Sequence, residues 1–214
     1  MSSVSLLDNE TERPLVPLQT RYRAVVLGAS AGGIAALKEL LSALPADFPL
    51  PILLVLHISR TAESRLAEVL GYRTGLTVKW AQWGERALPG TVYVAPRDRH
   101  LLLQRNGRIA LSDADPVGWW RPAVDRLFES AAAALGDAAI GAVLSGALWD
   151  GTRGITAIRE AGGITIAQDE ATSDHFDMPA GAIDIGRADI VLPPAKIAEA
   201  LIVLAGLPFR EAAA

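Results

Sequence analysis

Seven short apolar runs, at about residues 24–28, 51–57, 76–80, 91–95, 139–145, 164–168 and 189–192, constrain this chain most. Several show little alternation of polar and apolar residues, as strands covered on both faces do. Helical patterns lie between many of them. After Ser30, the residues Ile34, Leu37, Leu41 and Leu44 form one stripe, closed by Pro45. Thr61 is placed to cap a second helix that carries Leu66, Val69 and Leu70 and ends at Gly71. Further helices are expected near 122–135, 151–161 and 194–205. Strands alternating with helices predict an α/β fold: a doubly wound, mostly parallel sheet of about seven strands with helices on both faces. HLLLQRNGRIALSD departs from this rhythm. Its two apolar runs flank Asn106-Gly107 and predict an antiparallel hairpin over about 100–112, at one edge of the sheet.

At 214 residues, half of them apolar, the chain is long enough for one domain with a full core. That domain is expected over 21–207. A flexible arm over 1–20, punctuated by Pro14 and Pro17, precedes it, and a tail over 208–214 follows. The net charge of −4 gives no electrostatic basis for nucleic-acid binding. The absence of cysteine excludes a disulfide framework, a thiol nucleophile and thiolate zinc sites. No metal and no cofactor is expected. The first residues carry early acids and no apolar segment of signal-peptide type. The longest apolar stretches fall well short of the roughly 20 residues of a membrane span, so no membrane insertion and a cytoplasmic location are expected.

Chemistry gathers at the ends of these runs. VVLGASAGGIAALKELL places Ser30 between a strand and a helix, in the frame Gly28-x-Ser30-x-Gly32. A serine there sits on a tight turn above the sheet, beside the N–H groups and positive dipole end of a helix. The same position also suits a helix cap or the floor of a phosphate site. His57 ends the next strand, PILLVLH, and consecutive strands in such sheets commonly lie side by side. In AVLSGALWDG another strand runs toward Asp150, at the start of a helix. Asp150 reads as the N-cap of that helix, and equally as a carboxylate able to orient an imidazole.

VVLGASAGG, LVLHIS, ERALPGTVYVAPRDRHL, RPAVDRLF, LSGALWDG, GGITIAQDEAT and MPAGAI together resemble the catalytic domain of CheB-type protein-glutamate methylesterases, in order from about residue 23 to 205. The resemblance implies a catalytic triad of Ser30, His57 and Asp150. It implies hydrolysis of glutamyl γ-methyl esters on the cytoplasmic domain of methylated chemoreceptors, with glutamine deamidation in some family members. Oxyanion donors are expected near Ala31 and in the 146–149 loop. The best-known members also carry an N-terminal receiver domain whose phosphorylation relieves inhibition. About 20 residues precede the resemblance here, so the expectation is a stand-alone catalytic domain or a fragment. Where the family often has Thr after the serine and Gly-Met-Gly-Asn-Asp before the helix, this chain has Ala31 and Gly146-Ala147-Leu148-Trp149-Asp150.

Other residues carry two readings each. Arg97, Arg99 and Arg121 can form a positive rim for an acidic receptor helix or pair locally. His100 and His175 read as structural or surface groups. Trp119 and Trp120 read as packing, or as a partner surface. Two alternatives to the esterase stay open. A non-catalytic scaffold would bind a receptor or a receptor methyltransferase without turnover. A nucleotide-binding reductase would use GASAGG as its phosphate loop, but no acid ends the second strand and no Tyr-x-x-x-Lys pair is present.

Overall fold

A computed structural model describes residues 20–57 and 64–208. Each apolar run forms a strand within about two residues of its expected limits. The strands are β1 (Ala24–Ala29), β2 (Ile52–Leu56), β3 (Thr77–Trp80), β4 (Thr91–Val94), β5 (His100–Leu103), β6 (Ile109–Ser112), β7 (Ala139–Val143), β8 (Ile164–Gln168) and β9 (Ile190–Leu192). The helices are α1 (Gly33–Ala43), α2 (Leu66–Gly71), α3 (Val124–Leu135), α4 (Thr152–Glu160), α5 (Asp177–Asp184) and α6 (Pro194–Leu204). The expected cap at Thr61 lies outside the described residues, as do all of the expected arm over 1–20 except residue 20 and all of the expected tail except residue 208.

Seven strands pair in the order β3-β4-β2-β1-β7-β8-β9, every pair parallel. All residues of β1, β2 and β7 are buried, which explains their unbroken apolar sequence. The chain builds outward from β1 on one side, through β2 to β3 and β4. It then returns to β7 and builds outward on the other. That reversal beside β1 is the switch point at which doubly wound sheets open a crevice over their carboxyl ends. One face packs Leu37, Leu40 and Leu41 of α1 and Ile197 and Leu201 of α6 on alternate strand residues such as Leu27, Ile52 and Leu54. The other packs Leu127 and Phe128 of α3 and Ile155 and Ile158 of α4 on Val26, Leu53 and Val143. Gly28 lets α3 come down onto β1: a methyl group at that position would overlap the Val124 side chain.

The hairpin forms where Asn106-Gly107 places it, with Leu103 opposite Ile109 and Gly107 at φ 76°. Its position differs from the expected sheet edge. β5 and β6 make a separate two-stranded ribbon whose Leu101, Leu103 and Ile109 pack into the core on the α3 face. Its outer strand bonds to a loop instead of the sheet: Ile109 accepts from the Gly84 N–H at 2.8 Å and donates to the Glu85 carbonyl at 2.8 Å. Two further differences concern helices. α5 was not anticipated, because DMPAGAID is short and carries Pro179 and Gly181. Ile34 leaves the buried stripe of α1 and is 43% exposed, its place inside taken by Ala36 and Leu40.

Candidate active site

Three adjacent central strands deliver the three expected residues to one end of the sheet. Ser30 follows β1, His57 follows β2, and Asp150 lies in the loop from β7 to α4. The turn after β1 is drawn tight. Gly32 takes φ 75°, and a side chain there would come within 2.6 Å of both Asp174 Cβ and Ser145 Oγ. Only glycine meets both conditions at little cost. Ser30 N–H donates to the Ser145 carbonyl at 3.0 Å, and His57 N–H donates to the Ala29 carbonyl at 3.1 Å. The ends of β7, β1 and β2 are thus tied together by main-chain bonds. Ser145, not singled out in the sequence, completes the tie: its hydroxyl donates to the Ala31 carbonyl at 2.8 Å and accepts the His175 N–H at 3.1 Å.

His57 and Asp150 form a buried pair. Nε2 and Oδ2 are 2.7 Å apart, and the two side chains are 2% and 3% exposed. The Trp120 ring lies flat on the imidazole, centroids 3.8 Å apart and planes within 1°. Because a carboxylate only accepts, Nε2 carries the proton of that bond, and in the neutral imidazole Nδ1 then holds a lone pair. Nδ1 is buried and has no hydrogen-bond partner among the described residues. Ser30 and His57 share the wall of one cavity of about 530 Å³. An unpartnered buried acceptor is costly, so such a group commonly marks a function.

Asp150 also caps a helix, though not the expected one. Its Oδ2 accepts the Val124 N–H at 2.7 Å and its Oδ1 the Asp125 N–H at 3.0 Å, both at the start of α3. The positive end of α3 therefore stabilises the carboxylate. The start of α4 is served in return by Asp125, whose Oδ1 accepts the Gly151 and Gly154 N–H groups at 3.0 and 2.8 Å. Burial first, and the neighbouring charge of Asp150 further, raise the Asp125 carboxyl above the usual range, against its backbone bonds and Arg153. The two carboxylates thus cap each other's helices. No local signal reveals this, since the partners are about 25 residues apart.

The remaining candidates separate cleanly. Arg121 is a structural clamp: it holds Asp98 through Nε and Nη2 at 2.9 and 2.8 Å and the carbonyls of Asp113 and Ala114 at 2.8 and 3.2 Å. Arg97 is half-buried and Arg99 exposed. His175 contributes its main chain, accepting the Gly146 N–H at 2.9 Å. Trp119 is 82% exposed, unlike its neighbour Trp120. In the 146–149 loop, Gly146 N–H is thus engaged, and Leu148 N–H donates to Asp177 Oδ2 at 3.1 Å. Two of the expected oxyanion donors are therefore committed elsewhere.

His100 is buried as a neutral ring, with Nε2–H donating to the Asp115 carbonyl at 3.1 Å and Nδ1 accepting the Ala123 N–H at 3.2 Å. Burial lowers its pKa below 6.5, with Arg126 and Arg121 adding to the effect and the Asp115 bond opposing it. The unfolded chain then binds this proton before the folded one does, so the stability His100 provides is present above about pH 6.5 and lost on acidification through the lowered value. In chemical denaturation between pH 7.5 and 5, we expect wild type to lose stability and His100→Gln to lose less. Equal slopes would refute this.

The chain matches the CheB methylesterase family over residues 25–201. A protein-glutamate methylesterase/protein-glutamine glutaminase of Bordetella parapertussis is 43% identical over 194 residues, 89% of this chain and 55% of that protein. One of Pseudomonas aeruginosa is 43% identical over 189 residues, 87% of this chain and 54% of that protein. The chain spans about half the length of the curated relatives it matches. The crystal structure of the Thermotoga maritima CheB methylesterase catalytic domain superposes with a TM-score of 0.82 at 40% identity, over 86% of this chain and 98% of that one.

Proposed function

Because the chain belongs to the CheB methylesterase family, we propose that it is a serine hydrolase that removes methyl groups from glutamyl γ-methyl esters on the cytoplasmic domain of chemoreceptors. The observation that carries this reading is the buried His57–Asp150 pair, whose Nδ1 has no partner among the described residues and whose histidine lines the same cavity as Ser30. Among the described residues, no helix is long and apolar enough to cross a membrane. A cytoplasmic location follows from the substrate proposed.

The chemistry is acyl transfer. Ser30 Oγ gives its proton to His57 Nδ1 and bonds to the ester carbonyl carbon. Catalytic hydrogen bonds are commonly open without substrate and tighten when it binds, as this step requires of Ser30 and His57. The carbonyl re-forms as the C–OCH3 bond breaks, and Nδ1–H protonates the departing methoxide to methanol. Water then attacks the acyl-enzyme, giving its proton to Nδ1, which returns it to Ser30. Asp150 keeps Nε2 protonated and stabilises the transient imidazolium. Ala31 N–H, at the entry to α1, is suited to the oxyanion. The relatives' glutaminase activity needs only ammonia in place of methanol. The reductase alternative lacks support, since β2 is followed directly by His57, where a ribose-binding acid would stand.

Release of methanol from a methyl-esterified chemoreceptor is the test. Equal release by wild type and Ser30→Ala would overturn the hydrolase in favour of a scaffold. Trp120 gives a finer check, because its ring shields the His57–Asp150 bond from water and holds the imidazole plane. Trp120→Leu is expected to lower kcat about ten-fold with little change in KM, and Trp120→Phe to keep most activity. An unchanged kcat in Trp120→Leu would remove that role.

A further inference from the structure

The cavity beside Ser30 continues from Ala31, in the turn before α1, along the helix on Ile34, Ala35 and Lys38. Their spacing of i, i+3, i+4 and i+7 is one face of two helical turns. This face explains why Ile34 is exposed although an apolar stripe would bury it. The groove has an apolar floor and a charge at each end. Lys38 stands at the far end of the α1 face, and Asp174 lies against the Ser30 turn, its Oδ2 3.0 Å from where a Gly32 side chain would begin. Neither has an ion pair with another described residue. Two opposite charges in one groove, each without an ion-pair partner among the described residues, can both meet a ligand.

We propose that this groove selects its occupant by charge. Asp174 favours an uncharged γ-substituent over a free carboxylate, and Lys38 takes an acidic side chain on the same peptide segment. This deepens the hydrolase reading and rests on it. The reaction turns a neutral ester or amide into an anion. A carboxylate formed beside Asp174 is disfavoured there, since two like charges sharing a site repel. Substrate is thereby admitted, while product and unmodified glutamate are turned away. Lys38 compensates at a distance, giving an acidic segment its orientation through charge complementarity. The fitting partner is an amphipathic helix with an apolar stripe and acidic residues, carrying one esterified glutamate.

Binding decides this without turnover. Fluorescein-labelled helical peptides carrying glutamyl methyl ester, glutamine or glutamate at one position, with acidic or amide residues flanking it, are titrated by anisotropy onto the Ser30→Ala protein. The ester and glutamine peptides should bind about five-fold more tightly than the glutamate peptide, a gap that closes with added Asp174→Asn and narrows in high salt. Added Lys38→Gln should weaken acid-flanked peptides about five-fold and leave amide-flanked ones unchanged. Equal affinity for ester and acid peptides would overturn the role of Asp174, and equal weakening of both flanks would overturn that of Lys38. Failure of the hydrolase reading shows up separately, as absent methanol release by wild type.

Discussion

Replacing Ser30 with alanine is expected to lower methanol release at least about 10³-fold while leaving thermal unfolding within about a degree of wild type. The two halves of this expectation have separate origins. The hydroxyl is the group that bonds to the acyl carbon, so no other side chain at the site replaces it. It also holds no hydrogen bond to another described residue, so its loss leaves no buried partner unsatisfied. The bond that does support the fold here comes from the main chain, Ser30 N–H to the Ser145 carbonyl, and alanine keeps it. Methanol release and calorimetry on the same preparation read both halves. Substantial activity in the variant would show that the nucleophile lies elsewhere.

Asp150 is expected to behave in the opposite way, with activity and stability falling together. Its carboxylate receives His57 Nε2–H and Val124 N–H on one oxygen and Asp125 N–H on the other. Asp150→Ala strands three buried donors at once. A lost helix cap alone costs about 1 kcal/mol, and each stranded buried donor about 1–3 kcal/mol. A loss of at least about 3 kcal/mol is therefore expected, together with a fall in kcat on the order of 10³-fold or more. Asp150→Asn refines the point. If its amide nitrogen faces Asp125 N–H, the oxygen still serves His57 and Val124. That variant should retain more stability than alanine while losing the charge that supports the imidazolium. Denaturant titration and kcat on the two variants measure this, and an alanine variant as stable as wild type would refute it.

The sheet and part of the site were legible in the sequence. Strands buried on both faces must be apolar throughout, and consecutive parallel strands bring Ser30 and His57 to one edge. Asp150 was joined to them through the family resemblance, since the return of β7 to the side of β1 does not follow from chain order. Contacts between distant segments were less legible. Asp150 sits at the start of one helix and caps another. The hairpin's local code, Asn106-Gly107, specifies the turn but not the surface on which the ribbon lies, which is set by packing of Leu101, Leu103 and Ile109. Trp120 looks like its neighbour Trp119 in sequence, yet one covers an imidazole and the other faces water. Ile34 fits a buried stripe by spacing, but the groove beside Ser30 takes it.

The placing of β1 as the middle strand of seven has a consequence for how the molecule comes apart. Local fraying begins at margins such as β3 and β9, where a strand has one neighbour to leave, and central strands release their amide protons only when the whole domain opens. The three side chains follow β1 and its two immediate neighbours in the connections at their carboxyl ends, so peripheral breathing leaves them assembled. Catalytic competence should therefore persist unchanged through mild heating and vanish in a single step with the last protected amides.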